Sequence, residues 1–304
     1  MSATITDEQL AARELVRSWA SSSAAVQAAR DMEQGKADAW RVAYQGVAEL
    51  GIFGVALPEE HGGAGGAADD LCAMVDEAAA AMVPGPVATT ALATLVIGES
   101  HAERLEELAS GQRTAGVAAS ADVRYEAGRA SGRAEYVLGA DPQGVLLLPA
   151  GDQLMLVDAT ADGVTVEPLK ATDFSRPLAR VLLDSAPAEV LPVATQRVED
   201  LAATVLAAEA AGLARWTLQT ATDYAKVREQ FGKPIGSFQA IKHMCAEMLL
   251  RSEQASVAAA DAAKAAAEDD AQLSVAAAVA AAIGISAATR RSQRFSPPRN
   301  CAMP

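Results

Sequence analysis

The sequence is poor in aromatic residues, histidine and cysteine. Phenylalanine, tryptophan and tyrosine make up 4% of the 304 residues, and there are three histidines and three cysteines. Cys72, Cys245 and Cys301 are odd in number and far apart, which excludes a disulfide framework and is typical of a reducing compartment. Because no pair of cysteines has the spacing of a metal site and histidines are so few, we expect no metal centre.

Basic residues are scarce as well. The chain has 25 lysines and arginines against 39 aspartates and glutamates, and its net charge is −14. Nucleic-acid binding depends on clustered lysine and arginine that release counterions from phosphates, so this composition argues against a DNA or RNA partner. The first residues, Met1 to Glu8, lack the basic and apolar segments of a secretory signal, and we expect a cytoplasmic protein.

Alanine supplies most of the hydrophobic fraction of 51%, a composition that favours closely packed helices. The segment from Leu273 to Ala288 carries no charge and approaches the ~20 residues that cross a bilayer. Alanine and serine dominate it, so a buried helix of a bundle is the better interpretation, and we expect no membrane partner.

The patterning changes twice along the chain. It is helical at first, then consists of short apolar runs between turn residues, such as Val145–Leu148 and Leu154–Val157, and then becomes helical again. We therefore predict an α+β protein that is mostly α. Its parts are an N-terminal α-helical domain over 1–113, a small middle β domain over 114–193, and a C-terminal antiparallel helical bundle over 194–304 with an irregular tail over 290–304.

Two segments resemble the acyl-CoA dehydrogenase family. VREQFGKPIGSFQAIKH, from Val227 to His243, resembles the family's turn between its first two C-terminal helices, and ELGIFGVALPEEHGGAG, from Glu49 to Gly65, resembles the loop after its early helices. With the order helical, β, helical, the resemblance extends to about Ala288. It implies FAD held between domains and subunits, an acyl-CoA substrate, a homo- or hetero-oligomer with another acyl-CoA dehydrogenase subunit, and an acceptor similar to electron-transfer flavoprotein.

The resemblance also implies site residues. The arginine of the Arg-x-x-Phe-Gly segment, here Arg228, reaches the flavin pyrophosphate of a neighbouring subunit, where a planar guanidinium donates paired hydrogen bonds to phosphate oxygens. Gln230, Phe238 and Gln239 match positions of further flavin contacts. Without the resemblance, Arg228 would be interpreted as a cation near exposed carbonyls at a helix end.

The catalytic base has no counterpart in the sequence. Desaturation needs a base for the proton α to the thioester while the flavin accepts a hydride, and the family uses a glutamate. In the family, most members carry it in a segment beyond the third C-terminal helix, near a glycine-rich stretch that does not appear before Pro304, which implies an incomplete bundle. In members similar to isovaleryl-CoA dehydrogenase it lies on the first C-terminal helix, where this chain has Ala202; Glu199 and Glu209 are near but out of register.

Two further segments depart from the family pattern. The middle region lacks Thr-Glu followed by Gly-Ser-Asp, and it lacks Trp-Ile-Thr, from which the family holds the isoalloxazine ring. From Arg290 onward, arginines and Pro297-Pro298 follow an alanine-rich helix abruptly. One hypothesis is a truncated or out-of-frame end, and the other is a natural, disordered basic tail.

The leading hypothesis is a FAD-dependent acyl-CoA dehydrogenase for fatty-acid or steroid side-chain breakdown that needs a partner chain or domain for its base. One alternative is a catalytically silent structural partner of an active acyl-CoA dehydrogenase, whose purified form would lack the yellow colour of flavin. Another is an acyl-CoA oxidase or flavin monooxygenase on the same architecture, since a fold does not fix chemistry. Oxygen consumption with substrate would distinguish that class.

Overall fold

The computed structural model describes residues 6–98, 101–268 and 271–295. The chain begins with a group of helices: α1 (Asp7–Ser22), α2 (Ala25–Glu33), α3 (Trp40–Glu49), α4 (Ala68–Ala80), α5 (Val87–Val96) and α6 (Ala102–Ala109). Helix α1 begins with reciprocal hydrogen bonds, as its sequence predicts. Thr6 Oγ1 accepts from the Gln9 N–H at 3.1 Å, and Gln9 Oε1 accepts from the Thr6 N–H at 3.3 Å.

A mixed β-sheet follows the helices. Its strands are β1 (Ala115–Ala118), β2 (Asp122–Glu126), β3 (Arg129–Leu138), β4 (Val145–Ala150), β5 (Gln153–Asp158), β6 (Val164–Pro168), β7 (Leu178–Pro187) and β8 (Glu189–Leu191). They lie in the order β6-β7-β3-β1-β4-β5-β8, with β2 pairing β3. Strands β4 and β5 are almost fully buried because Leu146 and Leu148 face one apolar cluster while Leu147 faces another.

The chain then returns to helix in α7 (Thr195–Val227), α8 (Gln239–Ala267) and α9 (Leu273–Phe295). Buried alanines join these three helices, including Ala211, Ala259 and Ala280. Helix α9 continues to Phe295, so the irregular tail that we predicted over 290–304 is corrected for 290–295, and residues 296–304 lie outside the described residues. None of the described helices has both the length and the apolar character needed to cross a membrane. The architecture is mostly helical with a small β region, as predicted.

Helix α7 also passes against the N-terminal helices. A Cβ atom added at Gly212 would lie 2.0 Å from the carbonyl oxygen of Asp76 and 2.9 Å from Ala79 Cβ, both on α4. No side chain fits such a gap, so this glycine lets the two helix backbones approach closely. The contact joins the C-terminal bundle to the N-terminal domain.

We expect Gly212→Ala to destabilise the fold by about 1–3 kcal/mol or more, because the added methyl forces α4 and α7 apart. Gly284 of α9 is the matched control, since its added Cβ would meet Ala210 Cβ at an ordinary 3.4 Å. The Gly284→Ala substitution should stabilise the fold by up to about 1 kcal/mol, because alanine has a higher helix propensity than glycine. Urea unfolding of both variants measures the difference, and equal signs for the two substitutions would contradict this account of the packing.

Candidate functional site

The segment that joins α7 to α8 is a turn held by backbone hydrogen bonds. Strands β9 (Glu229–Gln230) and β10 (Lys233–Pro234) pair antiparallel, with Lys233 opposite Gln230. The Arg228 N–H donates to the carbonyl oxygen of Tyr224 at 2.9 Å, and the Ile235 N–H donates to the carbonyl oxygen of Arg228 at 2.7 Å. Arg228 is therefore fixed between the end of α7 and the start of the hairpin.

Two residues with positive φ form the tip of the hairpin. Phe231 has φ +54° and Gly232 has φ +74°, the combination of a type I′ two-residue turn. Glycine adopts this conformation freely, whereas for phenylalanine it is strained. The Phe231 ring is 92% exposed and meets the Phe238 ring edge-on at 6.2 Å, and Lys233 Nζ lies 4.5 Å from the Phe238 ring centroid.

The structure thus brings the four sequence-predicted residues to one end of the α7–α8 pair. Arg228, Gln230 and Gln239 are exposed, and none of their side chains has a hydrogen-bond partner among the described residues; Phe238 is half-buried. Guanidinium and amide N–H donors that lack partners, beside an aromatic ring, fit a phosphate-bearing ligand with a planar group. The turn therefore presents donors to which a phosphate-bearing ligand could bind.

A pocket of about 370 Å³ lies behind this turn, between α7 and α8. Its lining is mainly apolar and small, with two lysines: Thr222, Ala225, Lys226, Pro234, Gly236, Ile241, Lys242 and Cys245. Lys226 pairs with Asp223 at 2.9 Å, whereas the Lys242 side chain is exposed. Partial burial raises the pKa of the Cys245 thiol, which disfavours its thiolate form.

Three positions of α7 were considered for the catalytic base, and their surroundings differ: Glu199, Ala202 and Glu209. Ala202 is partly buried against the apolar core, and Glu199, one turn before it, is exposed. Glu209 forms a two-point ion pair with Arg176, with Nη1–Oε2 at 3.0 Å and Nη2–Oε1 at 2.9 Å. Burial alone would lower the pKa of Arg176, but the charge and hydrogen bond of Glu209 outweigh it and raise that pKa.

Sequence patterns did not identify Arg176. It lies in the loop between β6 and β7, in which the Ser175 carbonyl oxygen accepts from the Gly85 N–H at 2.8 Å. The loop thus connects the sheet to an N-terminal turn and, through Glu209, to α7. A single arginine in a loop carries no local signal of a partner on a distant helix.

Comparison with known proteins identifies the relatives of both helical parts. Residues 6–112 match the family described as acyl-CoA dehydrogenase, N-terminal domain, and residues 192–294 match acyl-CoA dehydrogenase, C-terminal domain. Acyl-CoA dehydrogenase FadE34 of Mycobacterium tuberculosis is 64% identical over 95% of this chain, and the match covers 42% of its own length. The chain thus spans less than half of that relative. Acyl-CoA dehydrogenase IpdE2 of the same organism is 34% identical, covering 79% of this chain and 69% of its own.

Solved structures share the architecture. A Tcur3481–Tcur3483 steroid ACAD variant has a TM-score of 0.83 and 31% identity, covering 96% of this chain and 87% of its own. The ChsE4–ChsE5 complex of M. tuberculosis, 22% identical, has a TM-score of 0.82 over 96% of this chain and 86% of its own, which shows the common fold. The matching profiles, the identity to FadE34 and the shared fold agree that this chain belongs to the acyl-CoA dehydrogenase family.

Proposed function

We propose that this chain is a FAD-dependent unit of an acyl-CoA dehydrogenase, which desaturates an acyl-CoA thioester with a base supplied by a partner chain or domain. The observation that carries the proposal is the turn at the end of α7. Arg228, Gln230 and Gln239 are exposed donors without partners among the described residues, held on a hairpin beside Phe238. Because the chain belongs to the acyl-CoA dehydrogenase family, we interpret these donors as ligands of FAD.

In this proposal the turn binds and orients the cofactor. Arg228 donates paired hydrogen bonds to the pyrophosphate of FAD held by a neighbouring chain, Gln230 and Gln239 donate to further oxygens, and Phe238 packs against the ligand. Bound FAD would supply the acceptor for the hydride of the β carbon, and its electrons would pass to an acceptor similar to electron-transfer flavoprotein.

Removal of the proton at the α carbon needs a base, and the positions on α7 that the family resemblance suggests do not supply one. Ala202 has no ionisable group, and both carboxylate oxygens of Glu209 already contact the guanidinium of Arg176. Taking a proton at Glu209 would leave that guanidinium largely buried and without its partner, which costs several kcal/mol. A partner chain or domain is the source that these contacts favour.

The relatives support the nature of this partner and of the substrate. FadE34 is more than twice as long as the segment matched here, which leaves room for a second unit of the same size. The two solved structures are described as a Tcur3481–Tcur3483 steroid ACAD variant and as a ChsE4–ChsE5 complex. We propose the CoA thioester of a steroid side chain as substrate, ahead of a simple fatty acid, in a cytoplasmic enzyme.

The competing candidate is a structural partner that binds no flavin. It is favoured by the middle segment, where the chain has neither Thr-Glu with Gly-Ser-Asp nor Trp-Ile-Thr. The flavin content of the purified chain, after incubation with FAD and removal of the excess, separates the two candidates. About one FAD per chain supports the proposal, and a colourless protein supports the structural partner.

A further inference from the structure

Two side chains of the hairpin between α7 and α8 approach the ring of Phe238. The Phe231 ring meets it edge-on, with centroids 6.2 Å apart, and Lys233 Nζ lies over it, 4.5 Å from the ring centroid. Phe238 is also the residue immediately before α8. The hairpin that begins beside Arg228 therefore sets the surroundings of this ring.

Lys233 is held in place by its backbone and not by an acidic partner. Its backbone pairs with Gln230 across the two-residue turn, and directly paired residues of a hairpin carry their side chains on one face. Lys233 is exposed, and its ammonium forms no ion pair with a carboxylate of the described residues. The face of the Phe238 ring is the contact that the structure gives this charge.

A cation over an aromatic ring restrains the ring in a way that apolar packing alone does not. The face of the ring carries negative partial charge, so the attraction depends on the ammonium lying over the face and not beside the edge. Rotation of the Phe238 side chain would lose this contact. Because Lys233 lies over one face, a planar group of a ligand can stack only on the other.

We propose that Lys233 is a positioning residue of the flavin site, whose ammonium holds the Phe238 ring in the orientation in which it packs against the bound cofactor. This role rests on the proposed function, in which Phe238 packs against FAD. It differs from the role of Arg228, which donates hydrogen bonds to the phosphates. Lys233 acts through the ring and contributes no direct bond to the ligand.

The test is a double-mutant cycle of Lys233 and Phe238, read as the dissociation constant of FAD in a fluorescence titration. Lys233→Met keeps the length of the side chain and removes its charge, and we expect roughly 2- to 5-fold weaker binding, the size of an exposed cation–π contact. In a Phe238→Leu background the same substitution should change the affinity by less than about 1.5-fold, because the ring through which the lysine acts is gone. Lys233→Arg should keep the affinity of the unmodified chain, since a guanidinium also binds a ring face.

A control variant and a measurement without flavin complete the test. Lys36 is likewise an exposed lysine, in the N-terminal domain, and Lys36→Met should leave the FAD affinity within about 1.5-fold because a distant charge is screened. Nuclear magnetic resonance of the chain without FAD should show the ε-methylene protons of Lys233 shifted upfield by the ring current of Phe238. That shift should disappear in Phe238→Leu. Circular dichroism confirms that all variants are folded.

Three outcomes would overturn this role of Lys233. The first is equal FAD affinity for Lys233→Met and the unmodified chain. The second is a loss of affinity that persists undiminished in the Phe238→Leu background, because the lysine would then act on the ligand directly. The third is a lysine without the ring-current shift, whose contact with the ring would be absent in solution. An unmodified chain that binds no FAD would overturn the proposed function and this role with it, whereas in the first two outcomes FAD still binds.

Discussion

Replacing Arg228 by alanine is expected to weaken FAD binding by roughly 10- to 100-fold, because the substitution removes charge-assisted hydrogen bonds to phosphate. The arginine is exposed and its side chain has no partner among the described residues, so the loss should not come from unfolding. The Arg228→Lys variant should recover only part of the affinity, since an ammonium cannot donate the paired bonds of a guanidinium. Titration of each protein with FAD, followed by flavin fluorescence, gives the dissociation constants.

The matched control for Arg228 is Arg30→Ala. Arg30 is likewise exposed and lies near the end of a helix, α2, in the N-terminal domain. It should change FAD affinity by less than about twofold, which separates a specific contact from a general loss of positive charge in an acidic protein. Equal affinities for Arg228→Ala and the unmodified chain would remove Arg228 from the flavin site and leave the helix-end cation as its role.

Replacing Asp76 by asparagine should produce the largest loss of stability. Asp76 and Glu77 of α4 are 5% and 6% exposed, and three arginines from α1 and α7 surround them. Arg215 Nη1 lies 3.0 Å from both carboxylate oxygens of Asp76, and Arg13 donates to the same carboxylate. The substitution leaves three partly exposed guanidinium groups with Glu77 as their one buried counter-charge among the described residues. We expect a cost of about 2–4 kcal/mol, below the full value for a completely buried pair because the arginines still contact water.

The measurement is the free energy of unfolding in urea, with Glu14→Gln as the control. Glu14 also pairs with an arginine of this group, Arg17, at 2.9 Å, but its side chain is 67% exposed. The Glu14–Arg17 pair should contribute no more than about 1 kcal/mol to the free energy of unfolding. If the two variants lost the same amount of stability, the buried carboxylates would not be what connects α1 and α7 through α4.

The sequence predicted elements whose signals are local. The predicted strands at Val145–Leu148 and Leu154–Val157 are parts of β4 and β5, because apolar runs this short, bounded by turn residues, favour a buried strand over a helix. Strand β3 was not predicted. Its buried positions include Ala130 and Ala134, its other positions are mostly charged or small, and its pairing with β7 is interrupted by shifts of register. Small buried residues give a weak apolar alternation.

The end of α9 shows how composition can mislead. The sudden appearance of arginines at Arg290 suggested that the helix stops there, yet it continues to Phe295. Arginine is among the good helix formers, so a change from alanine to arginine changes the charge of a helix without ending it. Prolines, which do end helices, come only at Pro297 and Pro298 in the sequence.

Some features of the candidate site could be predicted from the sequence, and others could not. The residues at Arg228, Gln230, Phe238 and Gln239 could be named because a contiguous segment resembles a known family. The sequence could not predict the strained φ of Phe231 or the pairing of Glu209 with Arg176, because both depend on tertiary structure. Glu209 and Arg176 are in different parts of the chain, and neither has a neighbouring residue that indicates its partner.

The most direct test of the central claim is the visible flavin spectrum of the purified chain, loaded with FAD, before and after an acyl-CoA thioester is added without oxygen. We expect the isolated chain to keep its flavin but not to be bleached, because Ala202 occupies the position at which the family resemblance predicts a base, and Glu209 is paired with Arg176. Bleaching should begin when an acyl-CoA dehydrogenase homologue from the same organism is added. Rapid bleaching of the isolated chain, or a chain that binds no flavin under either condition, would contradict the account.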